Sequence, residues 1–231
     1  MWFSPLKVRQ GFRINTLDHR PEIDGLRAIA VLSIVLFHAK IILFGNAWFV
    51  GGYIGVDIFF VISGYLITRI VLNELFETGS FSILKFYERR ARRILPMLFI
   101  VMLIGFPFAW KYLLPNNLIE YSQSILSAVF FCSNFFFYYI TTEYGAESAL
   151  LKPFLHTWSL GIEEQFYVLF PILVLLFFKF YRKRLFLFFS MVIIFSLMLS
   201  KEMSDKNTNF NFYLPMSRLW ELLVGSLIAY W

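Results

Sequence analysis

Apolar residues fall into long runs parted by short charged stretches: Ala28 to Phe44, Tyr53 to Leu72, Ile94 to Leu114, Ser122 to Ile140, Phe166 to Phe180, Leu185 to Leu199 and Met216 to Trp231. Runs of this length suit helices crossing the roughly 30 Å of bilayer hydrocarbon. The pattern predicts an all-α, polytopic transmembrane helix bundle of about seven membrane segments behind an N-terminal tail, residues 1–26. It shows no internal repeat, low-complexity tract or flexible linker, so residues 1–231 read as one membrane domain. The last run stops at the chain end without a polar flank, which suggests the N-terminal portion of a longer bundle.

Composition rules out a soluble domain, because 59% of the residues are hydrophobic and 30 are Phe. No cleavable signal peptide is visible, since polar or mixed residues precede the first run and no small-residue cleavage site follows it. One cysteine, Cys132, allows neither a disulfide framework nor a thiolate metal site within the chain.

The net charge of +6 gathers in short connecting segments: Lys7, Arg9, Arg13 and Arg20 in the tail, and Lys85, Arg89, Arg90, Arg92 and Arg93 after the second run. It reads as membrane orientation rather than a nucleic-acid patch, with the N-terminus and the segment around residues 85–93 cytoplasmic. Strict alternation would then put Arg182, Lys183 and Arg184 outside, against the positive-inside rule. Either a run between Ile94 and Ile140 re-enters without crossing, or Leu155 to Phe180 passes more than once.

Four constellations can carry chemistry. Arg27 and His38 lie eleven residues apart, so on one helix they face the same way, with the imidazole about 16 Å deeper. With Arg27 at an interface, His38 is expected near or beyond the midplane, where an ionisable group marks a functional site by default. The plainer alternative makes Arg27 an interface marker and His38 a helix-to-helix hydrogen bond. Asp24, three residues before Arg27, shares its face and can pair with it.

Asp57 and Ser63 stand among glycines in the second run, Gly55 and Gly64 included. The glycines suit close helix contact, whereas the Asp57 carboxylate needs a partner, for which His38 is a plausible one. The third constellation, Arg89, Arg90, Arg92 and Arg93, would form two guanidinium rows suited to phosphate, or to anionic lipid alone. The fourth holds His156, Glu163, Glu164, Gln165 and Tyr167, with paired acids that packing hardly justifies; an interfacial turn anchored by Trp158 is the alternative. The sequence contains no HExxH zinc site, glycine-rich phosphate loop or GxSxG elbow.

Arg27 with His38, GVDIFFVISGYLIT at Gly55 to Thr68, FYERRARRILP at Phe86 to Pro96 and HTWSLGIEEQFY at His156 to Tyr167 together resemble the integral-membrane acyltransferase 3 family. The resemblance implies about ten membrane helices and transfer of an acyl group, commonly acetyl, to a glycan hydroxyl. It also implies acetyl-CoA or another acyl-CoA as the cytoplasmic donor, no metal, and an O-antigen, peptidoglycan or exopolysaccharide acceptor, all at a cell (inner) membrane.

By position, Arg27 and His38 resemble the family's first-helix pair. Arg89, Arg90, Arg92 and Arg93 resemble its donor-side motif, and Glu163 its acidic residue. The expected roles are His38, Glu163 and Asp57 in catalysis, Arg27 and the four arginines on the donor, and Ser63, His156, Glu164 and Tyr167 facing substrate. His38 would act as general base or acyl acceptor, its ring oriented by Asp57 or Glu163. The competing class is a transporter or flippase-like protein for a lipid-linked glycan, in which the same groups relay protons.

Overall fold

The computed structural model describes residues 20–44, 46–143, 148, 151–180 and 184–230. Lys7, Arg9, Arg13, Arg182 and Lys183 of the charge argument lie outside the described residues.

Helix α1 (Pro21–His38) opens with proline in its first turn, where a missing N–H costs nothing. The first apolar run leaves the helix at His38. Lys40 takes φ 47°, and Ile42–Leu43 pair antiparallel with Asn46–Ala47. His38 therefore stands at the end of a helix, not partway down one, with its side chain exposed on the protein surface. A 3-10 turn, Val50–Tyr53, then leads into α2 (Ile54–Thr78). Gly79 closes α2 with φ 71°, a left-handed cap that favours glycine.

Helix α2 is the centre of the bundle. Its neighbours approach through glycines: a methyl on Gly55 would fall 2.4 Å from the Ala30 carbonyl of α1. On Gly64 one would fall 1.8 Å from the Leu222 carbonyl, and on Gly225 1.9 Å from the Val61 carbonyl. Gly64 and Gly225 thus hold α2 and α9 (Pro215–Tyr230) backbone to backbone, as small residues do between membrane helices.

Helix α3 (Ile83–Tyr112) starts at Ser82, whose hydroxyl accepts from the Lys85 amide. The run from Ser122 to Ile140 is not one helix. It divides into α4 (Pro115–Val129) and α5 (Ser133–Thr142) around Phe131, which has φ 54°. Gln165 takes up backbone freed by the break, donating to the Phe131 carbonyl at 2.8 Å, and Ser133, at the start of α5, ties the hairpin to α6 by donating to the Thr157 carbonyl at 2.7 Å.

The α4–α5 hairpin starts and finishes at one end of the bundle. Glu120 near its start is ion-paired with Lys152, just before α6 (Thr157–Phe180), and the Tyr121 and Phe154 rings lie 5.3 Å apart. The hairpin thus has the shape of a re-entrant run, the first of the two alternatives left open by the sequence. Helix α6 then ends at the same end of the bundle as the start of α3, so Arg184 joins Arg89–Arg93 instead of opposing them.

Helix α7 (Leu185–Lys206) and the short α8 (Thr208–Tyr213) lead to α9. Among the described residues, four helices are long and apolar enough to cross a membrane: Val50–Thr78, Ile83–Tyr112, Thr157–Phe177 and Leu185–Lys206. Of the other expected segments, α4 and α5 are shorter than this, and the 18-residue α1 carries Glu22, Asp24 and Arg27. The outer faces of α1, α3 and α7 expose Leu32, Val35, Leu103, Ile104, Phe195 and Met198, the inside-out surface of a protein that meets lipid.

Candidate active site

The chemistry-bearing side chains fall into three levels along the bundle. At one end, His38 closes α1. Its Nδ1 lies 2.9 Å from the Ile34 carbonyl. A carbonyl only accepts, so Nδ1 carries the proton and Nε2 of the neutral ring keeps its lone pair. Neither Asp57 nor Glu163 orients this ring: the backbone one turn earlier in α1 does.

His156 precedes α6 and does not share a helical face with Glu163. It lies within electrostatic reach of His38. Desolvation by surrounding protein holds the His156 pKa below the ordinary histidine value, the Pro153 backbone opposes this, and charge on His38 adds to it.

Asp57, in the first turn of α2, is engaged by Arg218 of α9 at 2.7 Å, not by His38. Arg218 uses the same Nη1 to reach Glu221 at 3.0 Å. Its guanidinium lies 5.6 Å from both the Trp158 and Phe212 ring centres. Sequence reasoning passed over Arg218 and Glu221, although two charges inside the last apolar run are the same signal that drew attention to Asp57.

The second level lies between α2, α3 and α6. Arg90 turns inward and donates from Nε and Nη2 to Glu164, at 3.3 and 3.1 Å. Its guanidinium covers the Tyr167 ring at 3.6 Å, and the Tyr167 hydroxyl donates to Glu163 at 3.4 Å. Ser63 stands within hydrogen-bonding reach of both Glu163 and Tyr167. Ser63, Glu163, Glu164, Tyr167 and Arg90 thus converge, with Glu163 and Glu164 buried. Beside them a cavity of about 380 Å³ opens between Tyr87, Ala91 and Ile94 of α3, Phe130 and Phe131 at the hairpin tip, and Glu164.

At the third level the remaining arginines point outward and do not make two matched rows. Arg89 pairs with Glu74 at 3.5 Å, Arg92 pairs with Glu88 at 2.7 Å, and Arg93 is exposed. Arg27 stands apart from all of them on α1, 3.9 Å from Asp24, with its buried Nε unpartnered among the described residues. The antiparallel contacts of Gly55 with Ala30 and of Arg20 with Tyr65 set Arg27 level with the upper part of α2. Among the described residues no group of His, Cys, Asp and Glu has the arrangement of a metal site.

This layout sets an imidazole whose Nε2 has no hydrogen-bond partner among the described residues at one end and exposed guanidinium groups at the other. Residues 20–231 match the family described as an acyltransferase domain, acyltransferase 3. The chain belongs to the acyltransferase 3 family. Two Staphylococcus aureus proteins named "Putative O-acetyltransferase", from strains MSSA476 and MRSA252, are each 36% identical over 227 residues, 96% of this chain and 36% of theirs. O-acetyltransferase OatA of Staphylococcus aureus strain NCTC 8325 / PS 47 is 34% identical over 215 residues, 91% of this chain and 34% of that protein. The chain thus spans about a third of the length of these acyltransferase relatives. No solved structure matches it.

Proposed function

We propose that this chain is the membrane part of an O-acyltransferase that moves an acyl group, commonly acetyl, from acyl-CoA to a glycan hydroxyl. Family membership and the relatives' names support acyl transfer, and the direction of transfer follows from the charge distribution. Arg89, Arg92 and Arg93, which meet the donor's phosphates, lie with Arg184 at the end that the positive charge marks as cytoplasmic. The histidine end then faces away from the cytosol and receives the cell-envelope acceptor. The protein resides in the cell (inner) membrane.

The observation that carries this reading is the His38 hydrogen bond to the Ile34 carbonyl, because it leaves Nε2 as an unencumbered base at the acceptor end. Nε2 takes the hydroxyl proton as the sugar oxygen attacks the thioester carbonyl. The new C–O bond replaces the C–S bond, and the proton leaves with the thiolate as free CoA thiol. Glu163, Tyr167, Ser63 and Arg90 line the interior between the two ends and hold the donor arm.

The test is incubation of the full-length protein in proteoliposomes with radiolabelled acetyl-CoA and candidate glycans. Label is expected to become a base-labile ester on the glycan as CoA thiol appears. An intact thioester in the presence of every acceptor, with glycan moved across the bilayer, would replace this reading with a transporter.

A further inference from the structure

Outside the groups that the proposed reaction uses, the most incomplete polar cluster is the one around Arg218. Arg218 spends a single nitrogen, Nη1, on two carboxylates, Oδ1 of Asp57 and Oε1 of Glu221. Among the described residues its buried Nε has no partner, and neither has Oε2 of Glu221, a residue only 1% exposed. Arg90 shows the contrast. It closes its Nε–Nη2 edge on Glu164, whereas Arg218 leaves that edge unused. A buried guanidinium edge without an acceptor is costly unless an oxygen atom visits it.

A simple clamp between α2 and α9 would not need this composition. Glu221 already balances Arg218 from within α9, at i,i+3. Asp57 adds a surplus carboxylate whose side chain remains 32% exposed, with one oxygen held by Arg218 and the other without a hydrogen-bond partner among the described residues. The cluster therefore carries one negative charge too many to attract an anion. It offers a donor edge beside an acceptor oxygen. Phe212, packed on Trp158 at 4.3 Å and itself 37% exposed, adds an aromatic face beside them.

We propose that Asp57 and Arg218 form the acceptor-sugar subsite, in which the free guanidinium edge donates to one hydroxyl oxygen and the free Asp57 oxygen accepts from the neighbouring hydroxyl. Two adjacent hydroxyls satisfy that pair, and a carboxylated sugar is repelled, so the subsite selects a neutral vicinal diol. Phe212 packs against the apolar face of the ring. The place of this subsite in a reaction rests on the acyl-transfer reading; its ligand chemistry does not. The first turns of α2 and α9 present it at the His38 end, and Trp158 connects it to His156 two residues away.

The experiment is equilibrium binding of maltotriose, mannotriose and trigalacturonate to the full-length protein in nanodiscs, without donor. The neutral trimers are expected to bind, and trigalacturonate at least about tenfold more weakly. Arg218→Lys keeps the charge between the carboxylates but has no planar side-on edge, and should weaken the neutral trimers about tenfold. Asp57→Asn should weaken them as well, with thermal midpoints near wild type. Neutral trimers that fail to bind, trigalacturonate that binds equally well, or Arg218→Lys with wild-type affinity would each overturn the subsite. A protein that binds neutral trimers through Arg218 yet never consumes acetyl-CoA would retain the subsite and remove the acyl-transfer reading.

Discussion

Arg90 and Glu164 meet edge-on between α3 and α6, and their pair joins a helix that starts among exposed arginines to one that starts beside a histidine. Both side chains are largely buried, so each depends on the other for solvation it has lost. Arg90→Ala should cost about 3–5 kcal/mol by leaving a buried carboxylate unpaired, while the double variant Arg90→Met with Glu164→Leu should cost less than that single change. Unfolding in mild detergent would measure it. Equal or greater loss in the double variant would show that the pair does not act as a unit.

The reciprocal glycines of α2 and α9 give a second expectation. Gly64→Ala and Gly225→Ala each place a methyl inside van der Waals contact with a carbonyl, so each should destabilise by at least about 1–3 kcal/mol. Gly51→Ala, which meets nothing within 4 Å, is the control. A lowered thermal midpoint for the first two and an unchanged one for the third is the expected result.

Removing the imidazole should separate chemistry from folding. His38 is exposed on the protein surface and its side-chain hydrogen bond is to its own helix, so His38→Ala should insert at wild-type abundance. Acyl transfer should fall about 10²–10⁴-fold, the range for loss of a general base. Wild-type glycan acylation by the variant would take His38 out of the reaction.

The two histidines should titrate as neighbours. Desolvation and charge on His38 both lower the His156 pKa, so His156 should become protonated below the ordinary histidine value of about 6.5. His38→Gln removes one of those causes and should move the His156 midpoint upward, toward the ordinary value. Nuclear magnetic resonance titration of labelled imidazoles in nanodiscs would record the shift. An unmoved midpoint would place the rings out of reach of each other.

The helical membrane character was legible in the apolar runs, and the α4–α5 hairpin has the shape of the re-entrant run that was one of the two ways to relieve the charge at Arg184. Periodicity could not locate the break at Phe131, because the groups that complete it, Gln165 and Asn134, come from α6 and α5. The glycine contacts were foreseeable at Gly55 and Gly64, and the Asp24–Arg27 pairing was too. The partner of Asp57 was not: Arg218 lies 161 residues away, and only packing of α9 against α2 brings the two together. The end of α1 at His38 was not legible, because hydrophobicity continues through Ile41, Ile42 and Leu43 after the helix has stopped. Likewise Arg90 was counted with three arginines of the same chemistry, while the feature that sets it apart is Glu164 on another helix.

The doubling back of α4 and α5 has a consequence for how such chains can vary. A segment that comes back to the side it left contributes an even count to the bundle's parity. Lengthening, trimming or replacing its tip inverts nothing downstream, and a single added crossing at the same place would turn α6, α7 and α9 upside down.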